Sequence, residues 1–350
     1  MARVQCSFCG KGEEEVGHLV TGPRRVAICA ECIDVCARVN EHESPYDGNV
    51  LLTGIGTLVT NDRYVEGVLG AIPDGAVAIK QGVVRWAGPE RALPDRHRDL
   101  PELSCGGRAV IPGFVDAHGP GPAPSGDAAA PWHESLARGT TTVAAVCTPD
   151  RLDHGLGAAG EALPEVGFLA DGWVGPLPEG PVRSIGDPGR EVDWVRLYPD
   201  EDPVSAIAAS ERTEPRGYVA EHFDDLTTKA LSATRRSVIA LPAGWKADGD
   251  IAALWEESVV AIGSGGTDRY GRNQSMPLAI WLAVRDLGLR LDRAIWSATR
   301  GSALALDWGE RGHLVRGAIG DVVVVDTDRL ADLASLDWRP WKVLRAGVEV

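Results

Sequence analysis

Short apolar runs broken by turn residues predict strands at both ends of the region that follows residue 50. Leu51–Leu58 is typical of a strand, and Gly75–Gly88 alternates around Gln81-Gly82, which predicts a β-hairpin. Two further strands are predicted near the C-terminus, over Gly320–Asp326 and Trp341–Val350. Both ends of this region are therefore expected to build β structure.

Between these ends, strand-like and helix-like runs alternate. Repeated βα units favour a parallel sheet closed into a barrel. The predicted strands are Ala109–Val115, Thr140–Val146, Val166–Ala170, Trp194–Tyr198, Tyr218–Glu221, Ser237–Leu241 and Ser258–Gly263. The predicted helices are Val204–Ser210, Leu226–Arg235, Asp250–Glu257, Pro277–Leu287 and Asp292–Asp307.

A polar stretch with Pro and Gly separates this region from the N-terminal segment and is predicted to be a linker. The fold class that follows is a small N-terminal module plus an α/β domain, a shortened βα barrel beside a β-sandwich made from both ends of the domain. The predicted division is 1–40 for the N-terminal module, 41–50 for the linker and 51–350 for the second domain, with 51–108 and 314–350 in the sandwich and 109–313 in the barrel.

Composition and charge narrow the function classes. The 350 residues are 44% hydrophobic, which favours a packed core over disorder. The formal net charge of −15 disfavours nucleic acid or an anionic membrane as the main partner. No run approaches the roughly 18 apolar residues of a membrane span. We therefore expect a cytoplasmic protein with neither nucleic acid nor membrane as partner.

Four cysteines near the N-terminus carry the most specific chemical signal. Cys6-Ser-Phe-Cys9 and Cys29-Ala-Glu-Cys32 are two CxxC pairs with nineteen residues between them, which fits a four-thiolate zinc site. Four protein sulfurs leave no coordination position for water or substrate, so the site would be structural. A redox CxxC and two disulfides are the alternatives, and both are less common in a cytosolic chain. One structural Zn²⁺ per chain is the favoured interpretation.

The segment around these cysteines resembles the C4 zinc-binding domain of ClpX, the unfoldase of the Clp protease. The resemblance is carried by Cys6–Lys11, Val16–Pro23 and Ile28–Cys36. It implies a treble-clef-like finger that dimerises and docks adaptors or substrates, with Cys6, Cys9, Cys29 and Cys32 as the ligands. No P-loop G-x-x-x-x-G-K-[ST] appears in the sequence, so the ATPase motor of the unfoldase is not part of it.

The second domain resembles the amidohydrolase superfamily, and imidazolonepropionase within it. Gly107–His118 is similar to the first barrel strand of those enzymes, and Arg138–Val143 to the second. Ser275–Ala279 and Ala294–Leu306 are similar to the helices that follow the last strand. The resemblance implies a βα barrel whose metal ion activates water for hydrolysis of a cyclic amide.

Several metal ligands that the resemblance implies are missing. His118 occupies the first position of the His-x-His motif, but Pro120 stands at the second. Val219 replaces a ligand histidine, and Gly265 stands where the family has the ligand aspartate. One imidazole cannot hold a divalent ion against water, since a catalytic zinc takes three protein ligands. A barrel without its catalytic metal is the favoured interpretation.

Three hypotheses follow. The leading one is a non-catalytic zinc protein, a pseudoenzyme whose finger forms a homodimer or docks another protein. The second is a divergent hydrolase of cyclic amides with a remodelled site at His118, Glu221, His222 and Asp268. The third is an adaptor whose finger pairs with Clp protease components.

Overall fold

The structure is a computed structural model in two compact units, residues 1–47 and residues 48–350. It describes residues 5–7, 11–12, 16, 19–21, 27–29, 48–123, 126–127, 129–147, 165–170, 194–197, 217–220, 223–224, 231, 236–240, 247–248, 254–257, 259–265 and 275–350.

The described strands are numbered in chain order. They are β1 (Leu19–Thr21), β2 (Ala27–Cys29), β3 (Val50–Val59), β4 (Ala71–Lys80), β5 (Val83–Pro89), β6 (Glu102–Ser104), β7 (Ala109–Pro112), β8 (Phe114–Gly119), β9 (Thr140–Cys147), β10 (Glu165–Ala170), β11 (Trp194–Leu197), β12 (Gly217–Ala220), β13 (Phe223–Asp224), β14 (Arg236–Ala240), β15 (Ala247–Asp248), β16 (Val259–Gly263), β17 (Val322–Val325), β18 (Pro340–Arg345) and β19 (Val348–Glu349).

The described α-helices are α1 (Ala130–Ala137), α2 (Leu254–Glu257), α3 (Met276–Asp286), α4 (Leu291–Trp296) and α5 (Ser302–Ala305). A π-helical turn spans Ser297–Gly301, and 3₁₀ turns span Glu90–Ala92, Asp95–His97 and Leu330–Ala334. Within the described ranges, no helix has both the length and the apolar character needed to cross a membrane.

In the first unit, β1 and β2 form an antiparallel hairpin with Leu19 opposite Cys29. In the second unit, both ends of the chain share one eight-stranded sheet in the order β19-β18-β17-β7-β3-β4-β5, with β6 paired to β3. Its buried Val, Leu and Ile side chains form a core of their own. The predicted contribution of both chain ends is thus confirmed, whereas the finer description as a sandwich stays a prediction.

The strands predicted for the barrel are parallel. They lie in two groups, β10-β9-β8 and β11-β12-β14-β16, each in sequential order. Gly265, just after β16, donates its N–H to the carbonyl oxygen of His118 on β8 over 3.0 Å. The last described strand of the series therefore lies against the first.

One predicted strand is two strands. Ala109–Val115 was expected to be continuous, but the chain changes sheets at Gly113. The Gly113 N–H donates to Asp321 O in the first sheet (2.9 Å), and the Phe114 N–H donates to Gly139 O beside β9 (3.0 Å). A single residue therefore joins the eight-stranded sheet to the parallel strands.

The predicted helix Pro277–Leu287 is confirmed as α3, whose N-cap Ser275 Oγ accepts the Leu278 N–H. The predicted helix Asp292–Asp307 is confirmed as one continuous helical run over residues 291–305, in which the π-helical turn joins α4 to α5. Ser302 Oγ donates to Ser297 O within the helix (2.7 Å) and to Ile262 O on β16 (3.1 Å). These hydroxyl contacts compete with the regular backbone ladder. The predicted helices Val204–Ser210 and Leu226–Arg235 lie outside the described residues, apart from residue 231.

Candidate functional site

The finger brings one cysteine of each CxxC pair together. Cys6 and Cys29 are 2% and 0% exposed, and the Cys29 N–H donates to Cys6 Sγ over 3.4 Å. A backbone N–H aimed at sulfur stabilises the thiolate, which is the form that binds metal. These two residues therefore fit a shared zinc ion. Cys9 and Cys32, the other expected ligands, lie outside the described residues.

Ser7, directly after Cys6, bonds to strand β2. Its N–H donates to Ala27 O over 2.7 Å, and its Oγ accepts the Ala27 N–H over 3.1 Å. The Cys6 N–H donates to Lys11 O over 2.9 Å. Sequence reasoning missed Ser7, although a Ser directly after the first Cys of a CxxC is suited to such a turn contact.

His118 lies in a tightly packed position on β8. It is 2% exposed, and Gly263 of β16 comes so close that a methyl group added at Gly263 would stand 2.4 Å from His118 Cβ. Glycine at 263 is therefore required by the approach of the two strands. Gly265 offers its backbone N–H to the His118 carbonyl and no side chain that could bind a metal.

Asp116 is the buried acid of this site, and sequence reasoning did not assign it a role. Its Oδ1 accepts N–H groups from Ser264 (2.9 Å) and His118 (3.2 Å). Burial raises the pKa of Asp116, and hydrogen bonds from Ser264 and the His118 N–H oppose the rise. The carboxyl group thus joins β8 to the end of β16. Its position two residues before His118, on the same face of a strand, is the signal that sequence alone offered.

Pro120 stands where the resemblance implies a second histidine. Its carbonyl oxygen accepts the Trp132 indole N–H over 2.8 Å, and Trp132 is fully buried on α1. Pro120 has no side-chain donor or acceptor, and its carbonyl is already engaged. This position therefore contributes to packing of α1 and offers no metal ligand in its side chain.

The other candidate residues cannot be placed beside His118. Glu221, His222 and Asp268 lie outside the described residues. Val219 is in β12, where it pairs with Arg196 and Val238. Among the residues that the structure describes, no three His, Cys, Asp or Glu side chains form a group that could hold a metal. The described positions 118, 120 and 265 supply one imidazole in total, which does not fit a catalytic metal ion.

Known proteins resemble this chain both in its N-terminal segment and in its second domain. Residues 4–41 match the ClpX C4-type zinc finger family. The imidazolonepropionase of Streptomyces coelicolor is 27% identical, over 86% of this chain and 97% of that protein. The imidazolonepropionase of Nocardia farcinica is 28% identical, over 81% and 93%. A zinc-bound adenosine deaminase from Xanthomonas campestris superposes with a TM-score of 0.61 at 18% identity, over 87% and 93%.

Because the sequence identity to this solved structure is low, the superposition shows the fold alone. That fold is amidohydrolase-like. The chain therefore combines a ClpX-type C4 zinc finger with a domain homologous to imidazolonepropionases.

Proposed function

We propose that this chain is a non-catalytic zinc protein in which the finger mediates protein contacts and the amidohydrolase-like domain is a scaffold or binding module. The observation that carries the proposal is the replacement of metal-ligand positions by Pro120 and Gly265, whose backbone groups are used for packing. The nearest acid, Asp116, is also engaged, since its Oδ1 accepts two backbone N–H groups.

The finger would hold one structural Zn²⁺ through Cys6, Cys9, Cys29 and Cys32. The contact between the Cys29 N–H and Cys6 Sγ supports this ligand set. A bound zinc ion would cross-link the finger and stabilise its fold, because a segment this short cannot build a hydrophobic core of its own. It takes no part in a reaction.

The proposed partner of the finger is a second copy of the chain. The hairpin strand β1 exposes Val20 at 59%, and its neighbour across the pair, Ile28, is partly exposed. Apolar side chains on a two-stranded hairpin are incompletely covered by their own unit, which favours a two-fold pairing. Val20→Glu should therefore shift the chain toward monomer in light scattering, while zinc stays bound. A Val20→Glu chain that remains a dimer would place the interface elsewhere.

The proposal is tested by metal content and hydrolysis together. The whole chain should contain one zinc per chain and should not hydrolyse imidazolonepropionate. Cys6→Ser/Cys29→Ser should bring the zinc content close to zero. Retention of a zinc ion that His118→Ala then releases would contradict the proposal.

A second candidate is a divergent metal-dependent hydrolase of cyclic amides, with His118, Glu221, His222 and Asp268 in a rebuilt site. The similarity to imidazolonepropionases across more than four fifths of this chain favours it. The same measurements separate it from the leading proposal, since it requires a second metal and turnover that Asp268→Ala and His118→Ala both abolish.

A third candidate is an adaptor for the Clp unfoldase, which the match of residues 4–41 favours. In that case the finger would pair with the zinc-binding domain of ClpX in sedimentation experiments. Val20→Glu should weaken the pairing, and chelation of zinc should abolish it.

A further inference from the structure

Two basic side chains lie on adjacent backbone segments at one end of the β4–β5 hairpin. Lys80 is the last residue of β4 and pairs with Val83. The turn that carries Arg316 is bonded to the start of β5, since the Gly317 N–H donates to Val84 O and the Val84 N–H donates to Ala318 O, both over 2.9 Å. Lys80 and Arg316 are both exposed.

The 3₁₀ turn Asp95–His97 brings two more basic residues to the same end. Leu93, just before the turn, packs with Leu51 of β3 and Ala78 of β4. This packing fixes the turn against the face of β4 that carries Ala78 and, two residues later, Lys80. Arg96 is exposed, whereas His97 is only 8% exposed.

His97 is a buried polar group whose Nε2 has no hydrogen-bond partner among the described residues. Burial lowers the pKa of His97, and the positive charges of Arg96, Lys80 and Arg316 lower it further. A buried imidazole nitrogen without a partner is costly, because it has lost water and gained nothing in exchange. The Nε2 atom of His97 therefore lacks a hydrogen-bond partner that a bound ligand could supply.

Three acidic side chains in and around this segment bond to other groups, whereas Asp99 is exposed. Asp95 pairs with Arg98 at 3.2 Å, Glu90 accepts the Gly54 N–H at 2.7 Å, and Glu102 accepts the Thr53 hydroxyl. Within the described part of the chain, Lys80, Arg96 and Arg316 form no ion pair. Three basic side chains outside the described ion pairs thus stand close together on a chain whose formal charge is −15.

We propose that Lys80, Arg96, His97 and Arg316 form a binding site for a phosphate-type oxyanion. Two guanidinium groups and an ammonium group supply charge and several N–H donors, and the imidazole adds a donor when its Nε2 carries hydrogen. A tetrahedral dianion matches this set better than a single carboxylate does, because it offers more acceptor oxygens and more charge. The site shares no residue with the His118 region and is independent of the proposed function.

The test uses inorganic phosphate and the whole protein. The His97 ring resonance is followed by NMR as pH is varied, in phosphate and in sodium chloride of equal ionic strength, with His97→Gln to assign the signal. Phosphate should raise the pKa of His97, because a bound anion stabilises the imidazolium form. Acetate should raise it less.

The variant Lys80→Gln/Arg316→Gln should weaken phosphate binding about tenfold. Arg91→Gln is the matched control, since Arg91 is an exposed arginine on the neighbouring 3₁₀ turn, and it should bind phosphate as the parent does. Three outcomes would overturn the proposal: equal pKa values of His97 in phosphate and chloride, an equal effect of acetate, and equal weakening by Arg91→Gln.

Discussion

Arg311 and Asp321 form a buried ion pair, with Arg311 Nη1 2.7 Å from Asp321 Oδ2 and the side chains 7% and 3% exposed. Arg311 Nη1 also donates to Thr142 Oγ1 on β9 over 3.3 Å. The other carboxylate oxygen of Asp321 accepts the Ala346 N–H over 2.8 Å. The pair therefore connects β9 with the start of β17 and with the turn between β18 and β19.

Removal of one partner should be strongly destabilising. Arg311→Met leaves the Asp321 carboxylate buried without its counter-charge, so the free energy of unfolding in urea should fall by about 3–5 kcal/mol. Arg138→Met is the control, because Arg138 and Glu134 form a pair in which both side chains are about half exposed. It should cost less than about 1 kcal/mol. Equal losses in the two variants would show that burial does not set the strength of the Arg311 pair.

Zinc should depend on the cysteines of the finger and on no cysteine of the second unit. Cys29→Ser should lower the measured zinc content close to zero, because a tetrahedral site loses a thiolate. Thermal unfolding of the second unit should persist. Cys105→Ser is the matched control: Cys105 is fully buried, and burial raises the pKa of its thiol to about 12, which keeps it protonated. Loss of zinc in Cys105→Ser would contradict the assignment.

Stability should fall on mild acidification because of His313. Burial, followed by the charge of Arg300, lowers the pKa of His313 to about 4, and the side chain is 8% exposed. The unfolded chain binds this proton near the ordinary histidine pKa of about 6.5. Stability is therefore full above about pH 6.5 and falls as pH drops toward 4, by up to about 3 kcal/mol.

Urea unfolding between these pH values measures the effect. His313→Gln should flatten the pH dependence, since the remaining side chain does not titrate. His133→Gln, which replaces an exposed histidine on α1, is the matched control. A slope that survives in His313→Gln would assign the acid sensitivity to other groups.

Asp116 should matter for stability through its role as an acceptor. Asp116→Ala leaves the N–H groups of Ser264 and His118 buried without their acceptor, at a cost of about 1–3 kcal/mol each. Asp116→Asn keeps an accepting oxygen and no longer ionises, so it should cost much less. Since burial raises the pKa of Asp116, the parent loses stability as pH rises through that pKa, and the Asn variant should not. Equal destabilisation by Asp116→Ala and Asp116→Asn at neutral pH would show that Asp116 does not stabilise the fold as a hydrogen-bond acceptor.

The alternation of apolar and polar residues and the turn residues between them predicted the β4–β5 hairpin and most of the described strands. Gln81-Gly82 was expected as a tight turn, and both residues have the positive φ that such a turn requires, 52° and 71°. The position of Asp116 beside His118 was visible in the sequence, but its partner Ser264 was not, because that residue comes from the end of β16, more than a hundred residues later. The same holds for His97, whose cationic neighbours come from three separate segments.

The sharing of one sheet by both ends of the second domain has a consequence for biosynthesis. During translation, β7 has β3 on one side, but its other neighbour, β17, is synthesised about two hundred residues later. The nascent domain therefore carries an open sheet edge until its last strands leave the ribosome, and such edges promote association between chains. The finger, by contrast, is a separate compact unit that can close around its metal while the rest of the chain is still being made.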